Sequence, residues 1–325
     1  MSSALAPSAV SPAASLTLAR SLPQGVDELS QMGAYDLFCS QLETGNTEAK
    51  VDAMKRLPVV AFAMGPSQVV ATLLPYLQTL VVRQPAPEDE ILLLLGKQLQ
   101  TFVPNLLSNP KELLELLPIL ERLAAVEETV VRDQAVIGMN HLAETLVKQG
   151  VDASVSSALL AMAKRLIGAD WFTAKVSVAG MIPELYAVTK NIELAVLYKE
   201  LCMDETPMVR RAAAQHLGAL LQKLASKEKA NDLLPVLQQL TKDEQDSVRM
   251  LAVASLSKVG PAYGKTPDWT KEYFLPMVKE GSTDLSWYVA RPDSSLDSHF
   301  LWCKHFSFVL VHIFQPFRSV FVFLV

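Results

Sequence analysis

The sequence predicts an all-α superhelix of stacked helix pairs, and three observations lead there. Leu and Ala dominate a chain of 325 residues in which 50% are hydrophobic and 19% charged, and both are strong helix formers. Apolar residues recur at the i, i+3, i+4, i+7 spacing of a helix face, as in Val209, Ala212, Ala213, His216 and Leu217. The helical segments also carry two marks that return at a near-constant interval. Such self-similarity overrides the length-based expectation of two compact domains, because a repeat array grows in one direction without a single core.

The first mark is a Leu-Pro step inside an apolar helix: Leu74-Pro75, Leu117-Pro118, Leu234-Pro235 and Leu275-Pro276. The prolines stand 43, 117 and 41 residues apart, and 117 is three times 39. A proline inside a helix is expected to kink it. The second mark is a small or β-branched residue, then a basic one, then Ala three positions on, at Lys50, Arg132, Arg210 and Arg249. Weaker versions stand at Leu92, Lys175 and Ala290, so the mean step is 40.

A period of about 40 residues filled by paired helices is the signature of HEAT-type arrays. About seven repeats are expected over residues 31–291. The first helix of each pair falls near 32–44, 68–82, 112–126, 156–168, 191–203, 230–242 and 270–280. The second falls near 46–63, 89–103, 128–147, 172–188, 207–224, 246–259 and 285–291. One pair cannot bury its apolar face alone, so neighbours stack, and Ala in the second helix lets backbones approach. Thr206-Pro207 and Asp246 sit where helix starts are favoured. Asp204 and Asp243 precede Arg210 and Arg249 by six residues and are expected to bridge Arg or backbone N–H groups between adjacent repeats. Asp284 precedes Ala290 by the same interval.

Four strings go beyond a generic repeat. They are Val126-Glu127-Glu128-Thr129-Val130-Val131-Arg132-Asp133, Asp170-Trp171-Phe172-Thr173-Ala174-Lys175, Asp204-Glu205-Thr206-Pro207-Met208-Val209-Arg210-Arg211-Ala212-Ala213-Ala214 and Asp243-Glu244-Gln245-Asp246-Ser247-Val248-Arg249-Met250-Leu251-Ala252-Val253. In that order and repeat phase, the chain resembles the scaffold (A, 65 kDa regulatory) subunit of protein phosphatase 2A, in its N-terminal half, over about residues 31–289. The resemblance implies a horseshoe of fifteen HEAT repeats. Early repeats in that family bind an interchangeable regulatory B-type subunit, and the last repeats bind a two-metal serine/threonine phosphatase. Contacts run along the turns inside each repeat. The matching positions here are Glu127, Glu128, Trp171, Phe172, Glu205, Thr206, Pro207, Met208, Arg211 and Asp246. Trp171-Phe172, a bulky aromatic pair at a turn, suits a partner-facing role, and Arg211 is expected to face outward.

The chain departs from the family after Asp284. Trp287-Tyr288-Val289-Ala290 stands where the family favours Trp-Arg-Val-Arg, and Arg291-Pro292 ends the helix. Residues 292–325 form a hydrophobic tail outside the repeat, rich in Phe, Val and His, and read as a non-native terminus. Between Lys304 and Arg318 only 13 residues remain, with two His, a Gln and a Pro among them. A spanning helix needs about 18 or more apolar residues, so a membrane anchor is disfavoured. Residues 1–30, rich in Ala, Ser and Pro, are expected to be disordered and show no secretory signal. With seven repeats in place of fifteen, the chain is expected to lack the half that binds the catalytic subunit. That subunit would dock only if the missing C-terminal repeats were present.

Catalytic patterns are absent from the sequence: no His-x-x-x-His, no paired-Cys motif, no phosphate loop and no nucleophile elbow. No catalytic, cofactor-binding or metal-binding residue is assigned, and no enzyme activity is expected. His141 and His216 read as packed or surface residues of second helices. Net charge is −5 with no long Lys/Arg run, which argues against a nucleic-acid partner. Cys39, Cys202 and Cys303 show no ligand or disulfide spacing and read as buried thiols in a reducing compartment. The expected location is therefore cytoplasmic, with the nucleus as a second one. The alternative function is that of another HEAT-repeat adaptor, in nuclear transport or trafficking.

Overall fold

The computed structural model describes residues 33–107, 109–224, 232–263 and 270–286. The N-terminal segment 1–30, the second helix of the seventh repeat beyond Ser286, the tail 292–325 and Cys303 lie outside the described residues. Within them there is no strand, and helices follow one another in pairs.

Repeat 1 comprises α1 (Ala34–Thr44), α2 (Thr47–Lys55) and α3 (Leu57–Met64). Repeat 2 has α4 (Pro66–Gln68), a π-turn segment Val69–Leu73, α5 (Leu74–Val82) and α6 (Asp89–Asn105). Repeat 3 has α7 (Pro110–Leu114), α8 (Leu117–Ala124) and α9 (Thr129–Gln149). Repeat 4 is α10 (Ala153–Ile167) and α11 (Phe172–Thr189), and repeat 5 is α12 (Glu193–Cys202) and α13 (Pro207–Leu224). Repeat 6 is α14 (Leu234–Leu240) and α15 (Asp246–Tyr263). Repeat 7 opens with a π-turn segment Thr270–Phe274 and α16 (Leu275–Ser282). Where the described residues reach, the expected helix positions are borne out to within a few residues, and the all-α solenoid with them.

The prolines act in two ways. Pro118 and Pro235 do not kink continuous helices; each stands at the second position of a new one, whereas Pro75 and Pro276 lie in runs that stay helical and directly follow a π segment. A proline has no N–H to give and its ring crowds the carbonyl four residues back. The chain therefore stops and restarts through turn residues before Leu117 and Leu234, and widens into a π segment without breaking before Leu74 and Leu275. The same rule divides the expected second helix of repeat 1 at Arg56, just before Leu57-Pro58. Elsewhere ordinary caps set the ends. Asn46, Asn109 and Asp152 accept from backbone N–H groups of the first turn. Gly65 and Gly150 close α3 and α9 at φ 78° and 76°, a conformation that a side chain would strain.

The helices form two layers. Second helices pack side by side, α6 on α9, α9 on α11, α11 on α13 and α13 on α15, while α5, α8, α10, α12 and α14 make the other layer. The buried residues run as one continuous core from Phe38 to Val278. Ala and Gly let the second helices come close: a Cβ on Gly218 of α13 would lie 3.0 Å from the Ser255 carbonyl on α15. Val209, Ala212, Ala213 and Leu217 are buried and His216 half-buried. Tyr198 crosses from the first layer, fully enclosed, and donates its hydroxyl to the Ala213 carbonyl at 2.7 Å. Cys202 is buried, which pushes its thiol up and away from the reactive thiolate. Cys39 is only partly buried.

Candidate docking ridge

The short turns that join the two helices of each repeat are tied to one another by charge. Arg210, six residues after Asp204, folds back so that its Nη1 donates to the carbonyls of Asp204 (2.9 Å) and Glu205 (3.0 Å). Its Nε and Nη2 donate to the carboxylate of Asp243 in the next repeat, at 2.7 and 3.2 Å. Arg249 repeats the arrangement, with Asp243 and Glu244 carbonyls on one side and Asp284 on the other at 2.7 and 2.9 Å. Lys175 reaches Asp204 at 2.9 Å. Each of these Asp residues also accepts from the N–H two positions on, at Thr206, Gln245 and Ser286. The expected bridge between repeats is therefore present, and Asp serves both Arg and backbone. The two Arg–Asp pairs are bidentate and largely enclosed, the geometry in which Arg binds carboxylate best.

This ladder titrates. The Arg249 fork holds the Asp284 carboxyl below the usual carboxylate range. Burial works to raise Asp204, but Lys175 and the Thr206 N–H outweigh it and hold it low. A folded-state value below the unfolded one, near 3.9 for Asp, means the stabilisation is complete above that value and is lost as pH falls through the folded value. Separately, burial, and then Lys258 beside it, hold the His216 imidazole low. Its contribution is present above about 6.5, the unfolded value, and fades below it. Two descending steps in melting temperature are expected on acidification, the first removed in His216→Gln and the second reduced in Asp204→Asn. A flat profile from pH 7 to 3 would contradict both assignments.

The turns project a row of side chains. Glu127, Glu128, Glu205, Pro207, Arg211 and Asp246 are exposed, and Thr206 is half-buried. Trp171 is 72% exposed, Phe172 38% and Met208 50%, so the aromatic pair does not fold back into the core. Their helix neighbours Val131, Ala174, Val209 and Val248 are wholly buried. Asp246 accepts from Ser286 of the next repeat at 3.1 Å. Contacts between repeats run from the third turn to the seventh. Thr173 donates to the Ala125 carbonyl at 3.2 Å, Lys175 bonds Asp204, and the two Arg–Asp pairs continue the line. The structure thus sets nine exposed residues of the ten singled out on one linked series of turns. It adds Val130, Asp170, Met203 and Leu285, all exposed on the same turns. The sequence carried a signal for three of them: counted from the ladder position, Val130 shares the register of Met208, and Asp170 and Leu285 share that of Glu205.

Among the described residues no group of side chains is arranged to hold a metal ion, and no single helix is long and apolar enough to cross a membrane. Stacked helix pairs at a 40-residue step, cross-linked at their inner turns, define a HEAT-repeat solenoid with an exposed ridge. Residues 194–271 match the family model described as HEAT repeats. Within that class the chain is similar to the regulatory scaffold subunits of protein phosphatase 2A, as the four strings imply. It is 30% identical over 268 residues to the A-type regulatory subunit of protein phosphatase PP2A from Schizosaccharomyces pombe, covering 81% of this chain and 44% of that protein. It is 37% identical over 185 residues to the serine/threonine-protein phosphatase PP2A 65 kDa regulatory subunit of Drosophila melanogaster, covering 56% and 30%. The chain thus spans less than half the length of these relatives, which are regulatory subunits and not catalytic ones. Among solved structures, Kap121p bound to Pho4p aligns with a TM-score of 0.65 at 13% identity, over 93% of this chain and 33% of that one. At that identity the likeness speaks for the fold alone.

Proposed function

We propose that this chain is a scaffold of the protein phosphatase 2A type that docks a regulatory B-type subunit on the ridge of turns 3 to 6. The observation that carries the reading is the exposure of Trp171, Phe172, Met208 and Arg211 on turns whose adjacent residues are buried. The family resemblance implies that those strings mark the edge where regulatory partners sit. Large apolar side chains held at a turn supply contact area to a partner that they do not supply to the fold. By the same resemblance, catalytic-subunit docking belongs to repeats beyond those described in residues 33–286. The free thiols at Cys39 and Cys202 fit a reducing, cytoplasmic or nuclear setting.

The test is size-exclusion chromatography of the purified 325-residue chain with a purified B-type subunit, and separately with a purified catalytic subunit. Equimolar co-elution with the first and not with the second is expected. A folded, helical chain that leaves the B-type subunit free would overturn the docking assignment. Stoichiometric capture of the catalytic subunit by itself would overturn the division of labour.

A further inference from the structure

The ridge is cross-linked by a charge pair at three successive joints: Lys175 to Asp204, Arg210 to Asp243 and Arg249 to Asp284. The joint between repeats 3 and 4 differs. Arg132 is posed as Arg210 and Arg249 are, with Nη1 donating to the carbonyls of Val126 (2.9 Å) and Glu127, six and five residues before it. Its Nη2 donates to Thr129 Oγ1 at 3.0 Å. What is missing is the acceptor. Six residues before Lys175, in the register of Asp204, Asp243 and Asp284, stands Ala169. Among the described residues no carboxylate of repeat 4 pairs with Arg132.

Two further observations fall on the same joint. Asn140 of α9 reaches the Gly180 carbonyl of α11 only at 3.4 Å, and its Oδ1 is buried without a partner. The corresponding layer between α13 and α15 is closed by short bonds, Ser255 to the Ala214 carbonyl at 2.7 Å and Gln222 to the Lys258 carbonyl at 2.6 Å. What holds repeats 3 and 4 together is instead concentrated on α8. Ser177 and Thr173 donate to the carbonyls of Ala124 and Ala125 at 2.7 and 3.2 Å, and Arg165 grips Glu121 with two bonds of 2.7 Å.

We infer that the array is jointed at this point: the turns of repeats 4 to 7 form a block in fixed register, and the turn Val126–Glu128 with the start of α9 swings against it about Ala124–Ala125. Glu127 and Glu128 therefore stand at a variable distance from Trp171 and Phe172, while the spacing from turn 5 to turn 7 is set. A partner that grips both sides of the joint selects one setting of it. The inference concerns the fold and stands whichever partner docks.

Hydrogen–deuterium exchange of the full chain tests it, through the protection factors of amides 132–135 and of the same register in repeats 5 and 6, 210–213 and 249–252. Those at 132–135 are expected to be lower on the order of tenfold, as befits a local opening. Ala169→Asp supplies the absent acceptor and is expected to raise protection at 132–135 on the order of tenfold while leaving 210–213 unchanged. Ala169→Asn keeps a side-chain acceptor for the Trp171 N–H but no charge, and should leave 132–135 near the parent value. Asp243→Asn, which opens an existing rung, should lower protection at 210–213 toward that of 132–135. Equal protection of the three registers in the parent chain would overturn the inference. So would equal protection of the Ala169→Asn and Ala169→Asp variants at 132–135, or no loss at 210–213 in Asp243→Asn.

Discussion

Replacing Arg210 by alanine is expected to destabilise the array by roughly 3 kcal/mol, the lower end of the cost of breaking an enclosed ion pair from one side. The side chains of Arg210 and Asp243 are 12% and 8% exposed, so the carboxylate left behind is poorly hydrated. The carbonyls of Asp204 and Glu205 lose their donor at the same time. Arg211, the next residue, is exposed, and Arg211→Ala should stay within about 0.5 kcal/mol of the parent. Urea unfolding followed by far-ultraviolet circular dichroism compares the two. The double variant Arg210→Ala/Asp243→Ala should recover part of the loss, because no orphaned charge remains. In a stacked array the damage is confined to one nearest-neighbour interface, so the transition should also broaden as the blocks either side uncouple. Equal stability of the Arg210→Ala and Arg211→Ala variants would mean the ladder contributes nothing that water does not.

Arg210 also shows why so much of this fold is legible from sequence. A residue that must meet its own turn and the next one has to recur at the repeat step, and so does the Asp that receives it. The mark at Arg210 and Arg249, with Asp six residues earlier, was therefore both a period and a bonding pattern. Leu-Pro was legible as a period but not as a geometry. The same dipeptide is met by a π segment before Leu74 and by a plain turn before Leu117, a choice made by packing against neighbours that no local propensity records. The ridge was legible where residues are unusual for a turn, as at Trp171-Phe172. It was not legible at Met203, because a lone apolar residue near a helix end reads equally well as core. Ala169 is the opposite case: a small residue at a turn carries no signal until the register shows what stands there in the other repeats.

Loss of the Trp171 ring is expected to weaken capture of a regulatory B-type subunit by about 30-fold or more, the effect of a hot spot worth at least roughly 2 kcal/mol. The fold should hardly register the change. Trp171 precedes the first residue of α11 and makes no capping bond, and with 72% of its surface free it fills no cavity when present. Trp171→Ala should therefore melt with the parent, within about 0.5 kcal/mol, which separates a docking role from a structural one. Phe172→Ala, less exposed at 38%, should lose both some affinity and some stability. Glu127→Ala and Glu128→Ala should act mainly on the association rate and its salt dependence, as charges at the rim of an interface do. Biolayer interferometry with immobilised B-type subunit, run at two salt concentrations, reads all four variants. If the Trp171→Ala chain binds as tightly as the parent, the aromatic pair is not the anchor, and the docking surface must lie away from the fourth turn.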